Sequence, residues 1–360
     1  MGEIKFLKGN EAIAYAAVRC GCDGYFGYPI TPQTEIIETL MEMRPWESTG
    51  MVVVQAESET ASINMLYGGA AAGKKVMTSS SSPGISLMCE GISYLAGANL
   101  PCVIVDISRG GPGLGTIQPS QSDYFQIVKG GGHGDYHSIV LAPASVQEMH
   151  DFIFIAFDLA FKYRIPVFLL ADGLIGQMME KVELADQKRR LTDDEIFQRH
   201  GTWAATGKRD GRKRNIVTSL SLDAAVQEQN NIRLQEKYAE IKANETRSEE
   251  YMCDDAEYIM VAYGSSARIC MNAVETLRKD GIKVGLLRLI TLYPFPTEKL
   301  KMLAKTAKGF LSVEMSTGQM IEDVKLAIEC SVAAYHYGRF GGSIHSPGEV
   351  ISAFKKYFCK

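Results

Sequence analysis

The chain of 360 residues contains no Cys-x-x-Cys pair and no longer cysteine run. Its eight cysteines stand at 20, 22, 89, 102, 253, 270, 330 and 359, and only Cys20 and Cys22 are near neighbours. That spacing argues against a metal or iron–sulfur site built within the chain. Most of the thiols lie among apolar or small residues, as in Leu87-Met88-Cys89, and read as reduced cysteines of a cytoplasmic protein. A strong charge of either sign is also missing. The formal net charge of −4 gives no support for nucleic acid as a partner. No run of about 18 apolar residues exists, so no membrane span is expected. The start, Met1-Gly2-Glu3-Ile4-Lys5, lacks the apolar core of a signal peptide. No glycine-rich loop carries a Walker lysine, and no internal repeat or low-complexity tract is visible.

What remains is a chain long enough for two or three domains with separate cores. Its first half alternates. Helical spacing covers Glu11 to Cys20, with Gly21 as the stop, then 33–43, 57–72 and 85–97. Between these lie strand candidates at 25–28, 51–55, 76–79 and 102–107, the second of them buried by composition. Ser145-Val146-Gln147-Glu148 is a capping box before an apolar helix reaching Tyr163, and Pro166 to Leu170 follows as a strand. Strands alternating with helices imply a doubly wound, mainly parallel sheet over residues 1–180. In such sheets ligands sit beyond the carboxyl ends of the strands. The polar loops 28–32, 55–59, 79–84 and 108–118 all fall there.

Residues 181–255 change character. The segment is charged at first, then reads as a long helix over 221–245 with Leu222, Ala225, Ile232, Tyr238 and Ile241 inward. It is expected to drape over a domain or onto another subunit. Alternation restarts at Tyr258, with Gly264-Ser265-Ser266 as an N-cap, and residues 256–360 form a second, smaller α/β domain.

Several residues can carry chemistry. Thr31 is held between Pro29 and Pro32 in Tyr28-Pro29-Ile30-Thr31-Pro32, where proline removes backbone freedom; the fragment alone reads as a stiff strand-to-helix loop, and a hydroxyl fixed this way can also donate to a ligand. Glu59 opens a helix of small residues, which suits a buried carboxyl with something close by, whereas Glu57 is explained by helix-end charge bias. The loop Ser79-Ser80-Ser81-Ser82-Pro83-Gly84 can present Ser81 and Ser82 to a ligand or be an ordinary turn. Arg109 follows a buried strand and either forks onto a carboxylate or stands solvated in a flexible loop, the glycines around it permitting both. Gln118, Gln121 and Asp123 either complete a polar pocket or order a long loop. His133 and His137 lie in a glycine-rich loop that cannot be helical, and read as facing a partner or ligand rather than a metal.

Together these pieces resemble the α subunit of 2-oxoacid:ferredoxin oxidoreductases. Tyr28-Pro29-Ile30-Thr31-Pro32 is similar to that family's signature, and Ser108-Arg109 before Gly111-Pro112-Gly113 to its substrate-arginine loop. Glu59 with Gly68 resembles the thiamine-enzyme pattern. Val261-Ala262-Tyr263-Gly264-Ser265 and Leu287 to Pro296 resemble its transketolase-C-like domain. The Gln118–Asp123 and Gly130–Tyr136 stretches are most similar to the branched-chain, 3-methyl-2-oxobutanoate type. The 2-oxoglutarate type is the nearest alternative; another thiamine enzyme and an assembly subunit without chemistry are the others.

The resemblance implies a thiamine pyrimidine-type domain, with thiamine diphosphate shared with a β subunit. That subunit would hold the diphosphate and Mg2+, and [4Fe-4S] clusters would sit on partners, none on this chain. No diphosphate-binding Gly-Asp-Gly…Asn pattern is present here. Glu59 would share a proton with the aminopyrimidine. Thr31 and Arg109 would bind the oxoacid, with Tyr28, Gln118 and Gln121 as further candidates. Coenzyme A and ferredoxin would complete the reaction, and γ and ferredoxin-like δ subunits the complex, as a dimer of heteromers.

Overall fold

The computed structural model describes residues 3–209 and 211–359. In chain order the first block is β1 (Glu3–Lys8), α1 (Gly9–Arg19), β2 (Gly24–Gly27), α2 (Glu35–Met43), α3 (Pro45–Ser48), β3 (Val52–Gln55), α4 (Glu59–Ala71), β4 (Val76–Ser80) and α5 (Pro83–Gly97). It continues with β5 (Cys102–Ser108), α6 (Tyr124–Val128), β6 (Ile139–Leu141), α7 (Val146–Tyr163), β7 (Pro166–Asp172), α8 (Gly173–Gln177) and β8 (Met179–Leu184). Two helices follow, α9 (Asp193–His200) and α10 (Ala224–Asn244). The last block is β9 (Ser248–Tyr251), β10 (Tyr258–Ala262), α11 (Gly264–Lys279), β11 (Val284–Leu289), β12 (Thr291–Tyr293), α12 (Thr297–Ala304), β13 (Gly309–Glu314), α13 (Met320–Ala327), β14 (Ala333–Gly338) and α14 (Pro347–Phe358).

The main sheet has seven strands in the order β12-β6-β7-β5-β4-β2-β3. All its pairings are parallel except β12 with β6. Central β5 and β7 are buried at every position, as the near-continuous apolar runs of a sheet covered on both faces must be. A second sheet runs β14-β13-β10-β11-β9, with β9 antiparallel at its edge. β1 and β8 form a separate antiparallel ribbon. No helix among the described residues is long and apolar enough to cross a membrane.

The chain departs from several expectations. β3 is an edge strand rather than a buried one, and Val52 is 48% exposed. A run of valines looks the same whether a second strand covers its far side or nothing does. β12, from the second half, completes the first sheet. Ser145 accepts the Glu148 N–H at 3.1 Å, but the Glu148 carboxylate turns to the Ala144 N–H and to Arg288, leaving half a capping box. α10 seats Leu234, Tyr238 and Ile241, while Leu222, Ala225 and Ile232 face outward. Ala225 and Ile232 lie about half a turn round the helix from the three buried residues, on its solvent face.

Helix α11 starts without a side-chain cap. Ser265 and Ser266 instead donate across the domain junction, to Asp172 and to Gln121, each at 2.7 Å. Tyr124 joins the same junction by donating to Asp323 at 2.6 Å.

Candidate functional site

The loop after β2 is pinned from below. Gln33 donates to the Tyr28 carbonyl at 2.9 Å and accepts from Ser79, which meets Tyr25, both at 2.6 Å. Asn10 and Gln177 both donate to the Pro32 carbonyl, at 2.7 and 3.2 Å. These bonds hold the backbone through position 32 and leave the Thr31 side chain exposed, with Tyr28 half-buried beside it. The Thr31–Pro32 peptide is cis.

Arg109 is buried at the carboxyl end of β5, 7% exposed. Its guanidinium donates to the Thr31 carbonyl at 2.8 Å and to the Leu114 carbonyl at 3.0 Å. Among the described residues no carboxylate pairs with it, and its Nε finds no partner. A buried cation without a counter-ion is costly unless something anionic arrives.

Glu59 is the first residue of α4, after an N-cap in which Ser58 accepts the Ala61 N–H at 3.2 Å. It is 7% exposed. Its carboxyl lies against Gly84, in the first turn of α5: a Cβ there would stand 2.7 Å from Glu59 Oε1 and 2.0 Å from Ser80 Oγ. Gly84 therefore has to be glycine for α5 to approach α4 this closely. Further along α4, a side chain at Gly68 would meet nothing within 4 Å.

Unpartnered buried polar atoms gather here. Thr78 Oγ1, Ser80 Oγ, Ser81 Oγ, Asp106 Oδ2, Ser108 Oγ and Arg109 Nε all lie along or just beyond the carboxyl-terminal halves of β4 and β5. Buried polar groups elsewhere in folded proteins are almost always bonded, so this row marks a place for water or ligand. Burial first, and the neighbouring Asp123 second, push the Asp106 carboxyl well above the usual carboxylate range.

The comparisons with known proteins bear on the same elements. A family model described as pyruvate flavodoxin/ferredoxin oxidoreductase, thiamine diphosphate binding, matches residues 15–252. A second, pyruvate:ferredoxin oxidoreductase core domain II, matches residues 256–350. The chain belongs to the 2-oxoacid:ferredoxin oxidoreductase family. Ketoisovalerate oxidoreductase subunit VorB of Methanothermobacter marburgensis is 53% identical over 98% of this chain and 97% of its own. The 2-oxoglutarate synthase subunit KorA of Methanocaldococcus jannaschii is 38% identical over 98% and 99%. A solved 2-oxoglutarate:ferredoxin oxidoreductase from Magnetococcus marinus, with 2-oxoglutarate, coenzyme A and succinyl-CoA bound, superposes with a TM-score of 0.85 at 26% identity. The superposition covers 99% of this chain and 65% of that one.

Within this oxidoreductase subunit, the residues toward a thiamine pyrimidine fit that group. A buried carboxyl, two buried serine hydroxyls without partners and a glycine that lets them converge suit the polar edge of an aminopyrimidine. No group of three or more His, Cys, Asp or Glu side chains able to hold a metal occurs among the described residues.

The structure brings Glu59, Thr31 and Arg109 to one edge through Ser80, Ser82 and Gly84. It separates others. Gln121, expected as a pocket residue, is committed to the domain junction. It donates to the Tyr263 carbonyl at 2.9 Å and accepts from Ser266 and from the Met315 N–H at 2.7 and 2.9 Å. Gln118 is exposed and packs beside Gly342. Ser82 is tied to protein, donating to Asp123 at 2.5 Å and accepting from the Arg109 N–H at 2.9 Å, so of the two serines only Ser81 has a free hydroxyl. His137 is half-buried and stacks on Tyr293 with ring centroids 4.4 Å apart, while His133 is exposed. Ser80 and Gly84 lie in the serine loop singled out for Ser81 and Ser82 without being picked out themselves, and Asp106 was missed. The signal for Asp106 was an acid inside an otherwise apolar strand.

Proposed function

We propose that this chain is the pyrimidine-side subunit of a complex that oxidatively decarboxylates 3-methyl-2-oxobutanoate with coenzyme A to acyl-CoA, CO2 and reduced ferredoxin. The observation that carries this reading is a buried Glu59 carboxyl beside unpartnered serines, on the same edge as a buried Arg109 that lacks a counter-ion. Thiamine diphosphate, when bound, supplies the carbon nucleophile and electron sink of 2-oxoacid chemistry. Glu59 holds a proton at the pyrimidine ring nitrogen, which is general acid–base work. Arg109 binds the oxoacid carboxylate with the guanidinium face left over from its two carbonyl bonds. Thr31, exposed beside it, donates its hydroxyl to the carboxylate or keto oxygen, with Tyr28 at the rim.

The substrate assignment follows from the VorB relatives and from the Arg109 loop. After Arg109 the next basic residue is Lys129, which is already paired with Asp323. Leu114 and Ile117, between them, are 82% and 58% exposed. An apolar branch suits this rim better than the second carboxylate of 2-oxoglutarate.

Thr31, Leu114 and Ile117 lie open in this chain, as half of a shared cleft would. The division is residues 1–180 for pyrimidine and substrate, 181–255 as a connector whose β9 edges the second sheet, and 256–360 as the transketolase-C-like unit, which lends β12 to the first sheet. A β subunit would supply the diphosphate site and Mg2+. Partner subunits, including γ and a ferredoxin-like δ, would hold the [4Fe-4S] clusters, in a cytoplasmic dimer of heteromers serving branched-chain amino acid catabolism. The test is to purify the complex and assay a panel of 2-oxoacids with coenzyme A and a viologen dye. Supporting the reading requires dye reduction with kcat/KM highest for 3-methyl-2-oxobutanoate. Equal or better use of 2-oxoglutarate would overturn the substrate, and no coenzyme A-dependent reduction would overturn the activity.

A further inference from the structure

Asp106 and Asp123 converge on Ser82 behind the Arg109 loop, one on its N–H and the other on its hydroxyl. Asp106, in β5, is fully buried, and Asp123, just before α6, is 6% exposed. Neither makes an ion pair with a lysine, arginine or histidine among the described residues, for the Arg109 guanidinium is turned to the Thr31 and Leu114 carbonyls. Burial first, and the second carboxyl beside it, favour the protonated form of Asp106.

The hydrogen bonds say where that proton sits. Asp106 Oδ1 accepts the Ser82 N–H at 3.1 Å, and Asp123 Oδ2 accepts the Ser82 hydroxyl at 2.5 Å. Asp106 Oδ2 has no donor. An oxygen that carries the proton needs no donor and gives one to Asp123. The Ser82 hydroxyl in turn accepts the Arg109 N–H at 2.9 Å. Ser82 has φ +28, a conformation that serine rarely adopts and that persists only where surrounding bonds enforce it. The chain leaving Ser82 enters α5 and reaches Gly84, which lies against Glu59. One acid pair therefore ties the backbone of Arg109 to the turn that packs on Glu59.

We propose that Asp106 and Asp123 are a single positioning unit, a carboxylic acid donating to a carboxylate, that fixes Ser82 and through it the backbone of Arg109. The proposal rests on Arg109 binding the oxoacid.

The unit makes the two residues unequal, which a merely structural role does not. Asparagine at 106 still donates to Asp123; asparagine at 123 cannot replace the carboxylate that two donors need. In the full complex, Asp106→Ala and Asp123→Ala should each raise KM for 3-methyl-2-oxobutanoate roughly tenfold, with a smaller effect on kcat. Asp106→Asn should bring KM back to within about threefold of the native value, and Asp123→Asn should not. Equal behaviour of the two asparagine variants, or a loss confined to kcat, overturns the proposal.

A second measurement needs no variant. Infrared spectroscopy of the native complex carrying 13C-labelled aspartate should show the C=O stretch of a neutral aspartic acid at pH 7.5, and its absence also overturns the proposal. Wild-type complex that oxidises no 2-oxoacid would instead remove the functional reading, while the infrared band still decides the shared proton.

Discussion

Replacing Arg109 by alanine removes two separable things. One is the pair of bonds to the Thr31 and Leu114 carbonyls, which tie the loop after β2 to the loop after β5. At about 0.5–1.5 kcal/mol each, these are together worth roughly 1–3 kcal/mol of loop order. The other is the charge-assisted bond to the substrate carboxylate, about 1.5–3 kcal/mol. The sum, about 2.5–6 kcal/mol, corresponds to a fall in kcat/KM of roughly 10²–10⁴. The assay is dye reduction by the full complex with 3-methyl-2-oxobutanoate and coenzyme A. Ethylguanidinium added to Arg109→Ala should restore part of the lost rate, because the charge returns without the tether. A loss of kcat/KM smaller than about threefold would refute the reasoning, since a buried cation at the substrate cannot be that cheap to remove. A large loss that is matched by failed assembly and unmoved by ethylguanidinium would leave only the loop-ordering role.

Gly84→Ala should fold, because α5 tolerates alanine, yet lose activity, because the new methyl displaces Ser80 Oγ and the Glu59 carboxyl; near-native kcat with an intact α5 would contradict this packing. Gln121→Ala should leave the Met315 N–H and the Ser266 hydroxyl without their acceptor at the domain junction, costing about 2–5 kcal/mol in urea unfolding, with little effect on substrate selectivity. Lys237 gives a pH dependence. Burial first, and Arg164 second, hold its ammonium down at about 8. The unfolded chain keeps that proton to higher pH, so stability relative to Lys237→Met should rise from about pH 8 toward the ordinary lysine value and be flat below. A flat difference across the whole range would show that this lysine is solvated.

Much of this was legible before any coordinates. β5 and β7 announce themselves by near-continuous apolar runs, and the loops carrying Thr31, Glu59 and Arg109 fall at strand ends, where doubly wound sheets place ligands. What escaped depends on contacts between distant segments. Whether the valines of β3 have a neighbour on both sides is decided by sheet order, which local pattern does not contain. Gln121 and Ser266 look like loop and cap residues until the second domain is docked. Ile232 on α10 lies about half a turn round the helix from Leu234, Tyr238 and Ile241, so which of the two faces is inward is decided by what the helix packs on. Gly84 and Asp106 matter through one close approach and one carboxyl pair, and neither has a spacing signature.

The central claim is that the Glu59 carboxyl serves a thiamine ring held between this chain and its partner. Its most direct test is deuterium exchange at thiamine C2, followed by NMR in complexes quenched with acid. Native complex should exchange fast, and Glu59→Gln should bind the cofactor equally well while exchanging roughly 10²–10⁴-fold more slowly. Exchange at the native rate in Glu59→Gln, with the cofactor bound, would contradict the account.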